Sequence, residues 1–134
     1  MPPQKFDPSK KRILVMLYDD DDKAQVTGIL ARAGYSATTA RNAHDAIEMM
    51  KVEKHHLLVL PFRMRAQDGL IMLKALVRRK RMLPVIYVAG YIANRAPGTY
   101  APPEMFLVSP YVMKPSFTPE ELLFTIESVL RSAG

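Results

Sequence analysis

The chain has 134 residues, of which 49% are hydrophobic and 24% charged, with no cysteine and a formal net charge of +6. That length suits one domain able to bury a core of its own, and the missing cysteines exclude disulfide scaffolds and thiolate metal sites. No apolar run approaches the roughly 20 residues of a membrane span, and the opening MPPQKFDPSKKRILV lacks a secretory pattern, so a cytoplasmic protein without a membrane partner is expected.

Residues 1–11 are polar and rich in proline, which predicts a loose arm ahead of a domain spanning 12–134. Ile13 to Leu17 form a continuous apolar run, as in a strand buried on both faces of a parallel sheet. The acidic run Asp19 to Asp22 sits where a helix would start and complements its positive end. Val26, Ile29, Leu30 and Ala33 then share one helical face, and Gly34 closes it. Residues 35–40 read as a short second strand. Asn42 caps a second helix that buries Ala43, Ala46, Ile47 and Met50.

Leu57 to Leu60 make a third strand, which Pro61 ends by removing a backbone donor. Asp68 and Gly69 open a third helix through Leu70, Leu73 and Leu76, finishing in the basic Arg78, Arg79, Lys80 and Arg81. Residues 84–89 form a fourth buried strand. From Gly90 to Pro110 helical periodicity fades among two glycines and several prolines, which predicts a long loop. Tyr111 to Met113 give a brief fifth strand, and Thr118, Pro119 and Glu121 start a last helix burying Leu122, Leu123, Ile126 and Leu130. Strands alternating with helices imply parallel pairing through right-handed crossovers, hence a three-layer α/β/α sandwich. In such sheets the working site lies beyond the strands' carboxyl ends.

With those strand ends placed, RILVMLYDDDD, LLVLPFRMRAQDGL, PVIYVAG and YVMKPSFTPEELL stand in an order and spacing that resembles a response-regulator receiver domain of two-component signalling, from about Lys11 to Leu130. The resemblance implies a flavodoxin-like (βα)5 fold with strand order 2-1-3-4-5, its fourth helix here largely replaced by the Gly/Pro-rich loop. In typical members the third strand delivers a phosphate-accepting aspartate. Two acids after the first strand hold Mg²⁺, and a hydroxyl residue and a lysine contact the phosphoryl oxygens.

Counting back from Asp68 and Gly69 puts Pro61 at the acceptor position and Ala89 at the hydroxyl position. Lys114 is retained, and Tyr111 resembles the family's switch aromatic. Counting back from Gly34 puts Leu17 and Tyr18 at the acidic pair, whereas a two-residue deletion in the first helix would place Asp19 and Asp20 there. In either register the acceptor is missing. The expectation is therefore a degenerate receiver with no catalytic residue, metal or cofactor, and not an enzyme.

Such a domain is expected to act in phosphorelay signalling through protein contacts without phosphorylation. Its partner would be a histidine kinase, another receiver, an adaptor or a second copy of itself. Tyr91, Tyr100, Met105 and Phe106 are candidate contact residues in the long loop, and Lys114 is expected to pair with Asp19 or Asp20. No recognition helix or stacking aromatics accompany the basic residues, so no nucleic-acid partner is expected. His44, His55 and His56 lack metal-ligand spacing. The chain ends four residues after Leu130, so no output domain is expected within it, though it could be a receiver segment of a longer protein. Two other readings stay open: a small-anion or nucleotide-responsive module built on a Lys114 pocket, and phosphotransfer through a non-standard aspartate among Asp19, Asp20 and Asp68.

Overall fold

A computed structural model describes residues 6–79, 83–89, 98–100, 109–114 and 116–133. Five parallel strands form the main sheet: β1 (Arg12–Met16), β2 (Ser36–Ala40), β3 (Leu57–Pro61), β5 (Val85–Val88) and β7 (Val112–Met113), in the order β2-β1-β3-β5-β7. Four helices are described: α1 (Asp20–Arg32), α2 (Ala43–Val52), α3 (Ala66–Arg79) and α4 (Pro119–Ala133). The predicted loop from Gly90 to Pro110 falls for the most part outside the described residues.

Side chains alternate across the sheet and so feed two cores. Ile13, Val15 and Leu17 point to one face, where they join Val26, Ile29 and Leu30 of α1 and Leu122, Ile126 and Val129 of α4. Leu14 and Met16 point to the other, where Ala43, Ala46 and Met50 of α2 and Met72 and Leu76 of α3 cover them. The apolar run in β1 is thus explained by burial on both sides. Truncating one of these buried aliphatic side chains to alanine costs about 2–5 kcal/mol.

The helix starts follow the chemistry of orphan backbone donors. Asp19 accepts from the Asp22 amide at 2.9 Å, and Asn42 from the Asp45 amide at 2.8 Å. Thr118 accepts from the Glu121 amide and donates to its carboxylate, both at 3.1 Å, a reciprocal pair that opens α4. Past the end of α1, Gly34 takes φ +94°, a left-handed conformation that costs glycine little.

The structure corrects three expectations. Leu70 is 53% exposed, while Met72 and Leu76 face the core, because α3 begins at Ala66 and its inward stripe runs through Met72 rather than Leu70. From Phe6 onward the arm is not loose. Asp7 caps the short 3-10 turn Pro8–Lys10, the Phe6 ring meets Tyr35 edge-on at 6.3 Å, and Arg131 lies 5.0 Å over Phe6. A second, two-stranded sheet pairs β4 (Met64–Arg65) antiparallel with β6 (Thr99–Tyr100), in the region read as loop.

Candidate functional site

The carboxyl ends of β1, β3, β5 and β7 converge at one edge of the sheet and place Leu17, Pro61, Ala89 and Lys114 there. Pro61 is the last residue of β3, opposite Val88, and it is buried. Leu17 is 3% exposed and belongs to the core on the α1 side, and Ala89 is also buried. Lys114 is exposed, and among the described residues no ion pair joins it to Asp19 or Asp20, contrary to the expected pairing. Asp19 is occupied by its cap on α1, and Asp20 lies 3.8 Å from Lys23 in a pair too exposed to stabilise strongly.

The strongest polar link at this edge escaped sequence reasoning. The Tyr18 hydroxyl donates to Asp68 Oδ2, while the Tyr18 oxygen itself accepts from the Arg65 amide at 3.1 Å. The other oxygen of Asp68 accepts from the Ala43 amide at 3.0 Å, at the first turn of α2. Asp68 is buried, so both of its carboxylate oxygens are satisfied where water does not reach them freely. The Arg65 guanidinium stacks 4.6 Å over the Tyr18 ring. Burial pushes the Tyr18 phenol well above its ordinary pKa, and its bond to Asp68 adds to that, so it stays a donor across the neutral range.

These residues offer no carboxylate at the end of β1 or β3. Magnesium demands hard oxygen ligands, and Leu17, Tyr18 and Pro61 do not fit it. Among the described residues no three histidine, aspartate or glutamate side chains gather as a metal site. What the described residues do build at this edge is a polar bridge from Tyr18 to Asp68.

Tyr111, the switch-like aromatic, is 42% exposed. Its amide donates to Ser109 Oγ at 3.3 Å and its carbonyl accepts from the Tyr87 amide at 2.9 Å, which fixes its backbone beside β5. Tyr91, Met105 and Phe106 lie outside the described residues, and of Tyr100 only the backbone is described. Among the described residues no helix is long and apolar enough to cross a membrane.

Comparison with known proteins bears on these observations. The family model of the response regulator receiver domain matches residues 15–127. The chain is 32% identical over 129 residues to a probable transcriptional regulator ycf27 of Cyanophora paradoxa, covering 92% of this chain and 49% of that protein. It is 32% identical over 83 residues to the DNA-binding transcriptional regulator NtrC of Escherichia coli (strain K12), covering 60% of this chain and 18% of that protein. The chain thus spans half or less of the length of these relatives. A CheY-like receiver domain protein from Methanospirillum hungatei has the same fold, with a TM-score of 0.71, 23% identity, and coverage of 92% of this chain and 95% of that one.

These relatives overturn the expectation of no nucleic-acid partner. They are transcriptional regulators, NtrC is DNA-binding by name, and this chain corresponds to only part of each. The physical reason is that the charge pattern of a receiver domain carries no information about a DNA-reading segment elsewhere in a longer protein. With a doubly wound parallel sheet, a receiver-like strand edge and a family match over most of its length, the chain belongs to the response regulator receiver domain family.

Proposed function

We propose that this receiver domain works in two-component signalling without phosphorylation at the usual aspartate position, passing its signal on through protein contacts. The observation that carries the reading is Pro61 at the tip of β3, where the family pattern calls for a nucleophilic carboxylate. The sheet register supports the accompanying assignment of the acidic pair. Val15 lies opposite Val59 at the last pair of the β1–β3 ladder, and continuing that register by two residues would bring Leu17 level with Pro61. That favours Leu17 and Tyr18 over Asp19 and Asp20, which α1 has taken up at its start.

The Tyr18–Asp68 link supports the same reading from another side. In place of two charges that a metal would bridge, the edge has a neutral phenol bonded to a carboxylate, which ties β1 to α3 without any ion. Asp68 is a poor phosphoacceptor because both oxygens already accept hydrogen bonds. Contact with a histidine kinase, another receiver or an adaptor would use exposed apolar side chains such as Tyr111, 42% exposed, and Phe124, 75% exposed. The transcriptional regulators among its relatives extend this reading to DNA, with the receiver acting on a DNA-binding segment or partner.

A magnesium titration followed by amide NMR tests the reading. We expect no saturable shift at Leu17, Tyr18, Phe62 or Ala89 at millimolar Mg²⁺. A saturable response centred on those residues would show a working acidic pocket and refute the proposal.

A further inference from the structure

Two helices of this chain have outer faces that are opposite in charge and alike in leaving apolar side chains bare. On α3, Leu70, Leu73 and Val77 recur at helical spacing and so lie along one ridge, beside the core-facing stripe of Met72 and Leu76. Leu70 and Val77 are each 53% exposed. Lys74 stands one turn from both, Arg78 follows a turn later, and among the described residues neither cation is in an ion pair. The acid of α3, Asp68, is buried in the bridge to Tyr18. This face is therefore apolar and positive.

On α4 the outer ridge is Glu120, Phe124 and Glu127, again at helical spacing. Phe124 is 75% exposed, with one carboxylate a turn before it and another a turn after. Glu127 meets Arg131 at 3.6 Å, an exposed pair worth little and readily exchanged. This face is apolar and negative.

The two faces cannot meet within one molecule. Helix α3 covers the sheet on the side of Leu14 and Met16, and α4 covers it on the side of Ile13 and Val15. A net charge of +6 also keeps copies apart unless patches of opposite sign are matched. The acidic start of α1 offers no such match, because no large apolar side chain is exposed on that helix.

We propose that α4 of one copy docks on α3 of the next, with Phe124 seated over Leu70 and Val77 and with Glu120 and Glu127 drawn to Lys74 and Arg78. The contact is head-to-tail, so a pair still has one free α3 and one free α4 and can add further copies. One helix laid on another makes a small interface, and the association is weak and reversible. The proposal rests on the reading of Phe124 as a contact residue given above and names a second copy as the partner.

Sedimentation of the full chain tests this. The mean mass of the parent should rise with concentration up to about 1 mM and fall back in high salt, which screens the ion pairs. Phe124→Ser removes the knob on α4, and the Leu70→Ser, Val77→Ser double variant removes its seat on α3. All three positions are exposed, so each variant should keep its helical circular dichroism and sediment as a monomer. Mixed in equal amounts, the two should form a one-to-one dimer and nothing larger, because each supplies the face the other lacks. Lys74→Glu should weaken association at least about tenfold, and adding Glu127→Lys in the same chain should restore most of it. A parent that stays monomeric would overturn the proposal, as would association unchanged by Lys74→Glu. So would a Leu70→Ser, Val77→Ser variant that associates like the parent, the mark of a symmetric contact between α4 faces, or a mixture that stays monomeric. None of these results bears on phosphorylation, which magnesium titration and intact mass address separately.

Discussion

Tyr18 at the end of β1 and Asp68 in the first turn of α3 are fifty positions apart in sequence and joined by a hydrogen bond from phenol to carboxylate. The bond fastens the central strand to the helix that follows β3, and Asp68 passes the tie on to the start of α2 through the Ala43 amide. Removing the hydroxyl leaves a buried carboxylate oxygen and the Arg65 amide without this partner. Tyr18→Phe is therefore expected to lose about 1–3 kcal/mol in urea unfolding. Asp68→Ala should lose more, because it also strands the Ala43 amide. Equal stability of the parent and Tyr18→Phe would show that the bond is incidental.

Pro61 is buried at the tip of β3, opposite Val88, and Leu17 beyond the end of β1 is buried too. Pro61→Asp alone should thus place an uncompensated carboxyl group in an apolar setting and cost about 2–4 kcal/mol, without creating a phosphorylation site. Thermal or urea unfolding gives the first quantity and intact mass after a phosphodonor the second. Adding Leu17→Asp and Tyr18→Asp to Pro61→Asp should bring back a saturable response to Mg²⁺.

His55 and His56 give the fold a defined acid sensitivity. In the folded chain both rings sit below the ordinary value of 6.5, chiefly through burial, with Arg12 adding to the effect at His55 and Lys11 and Lys54 at His56. His56 Nδ1 also accepts from the Arg12 amide at 2.9 Å, which a protonated nitrogen cannot do. As pH falls below about 6.5 the unfolded chain binds protons that the folded chain refuses, so stability drops until the folded rings protonate in turn. Above that pH their contribution is fully present. Urea unfolding at about pH 7.5 and about pH 5.5 should show the loss, and the His55→Gln, His56→Gln double variant should flatten it.

Phe124 projects from α4 with 75% of its surface exposed, so its ring stabilises the folded chain little. Phe124→Ser should change the unfolding free energy by no more than about 0.5 kcal/mol. Site-specific photocrosslinking from position 124 in cells should join the chain to a signalling protein, and Tyr111→Ala should weaken that product. An undiminished crosslink would remove Tyr111 from the contact.

Much of this architecture was legible because local chemistry agreed with the global fold. The capping residues Asp19, Asn42 and Thr118 mark helix starts wherever they occur, and the unbroken apolar runs of β1, β3 and β5 could be satisfied only in a sheet covered on both faces. The inward phase of α3 was not legible, since leucines at 70, 73 and 76 spell a helical stripe about as well as Met72 and Leu76 do. Only packing against α2 and the sheet chooses between them. The β4–β6 pair spans two residues on each side, too few to show a period. The Tyr18–Asp68 bond is a contact between distant segments, invisible to any window along the chain. At the strand edge, the residue types Leu17, Tyr18 and Pro61 were readable, and the bridge from Tyr18 to Asp68 was not.

The most direct test of phosphorylation independence is the intact mass of the chain after incubation with acetyl phosphate and Mg²⁺. With Pro61 at the strand tip and Asp68 fully engaged, the mass should be unchanged at every time point. A stoichiometric phosphoryl adduct, stable in acid and lost in base, would contradict the account.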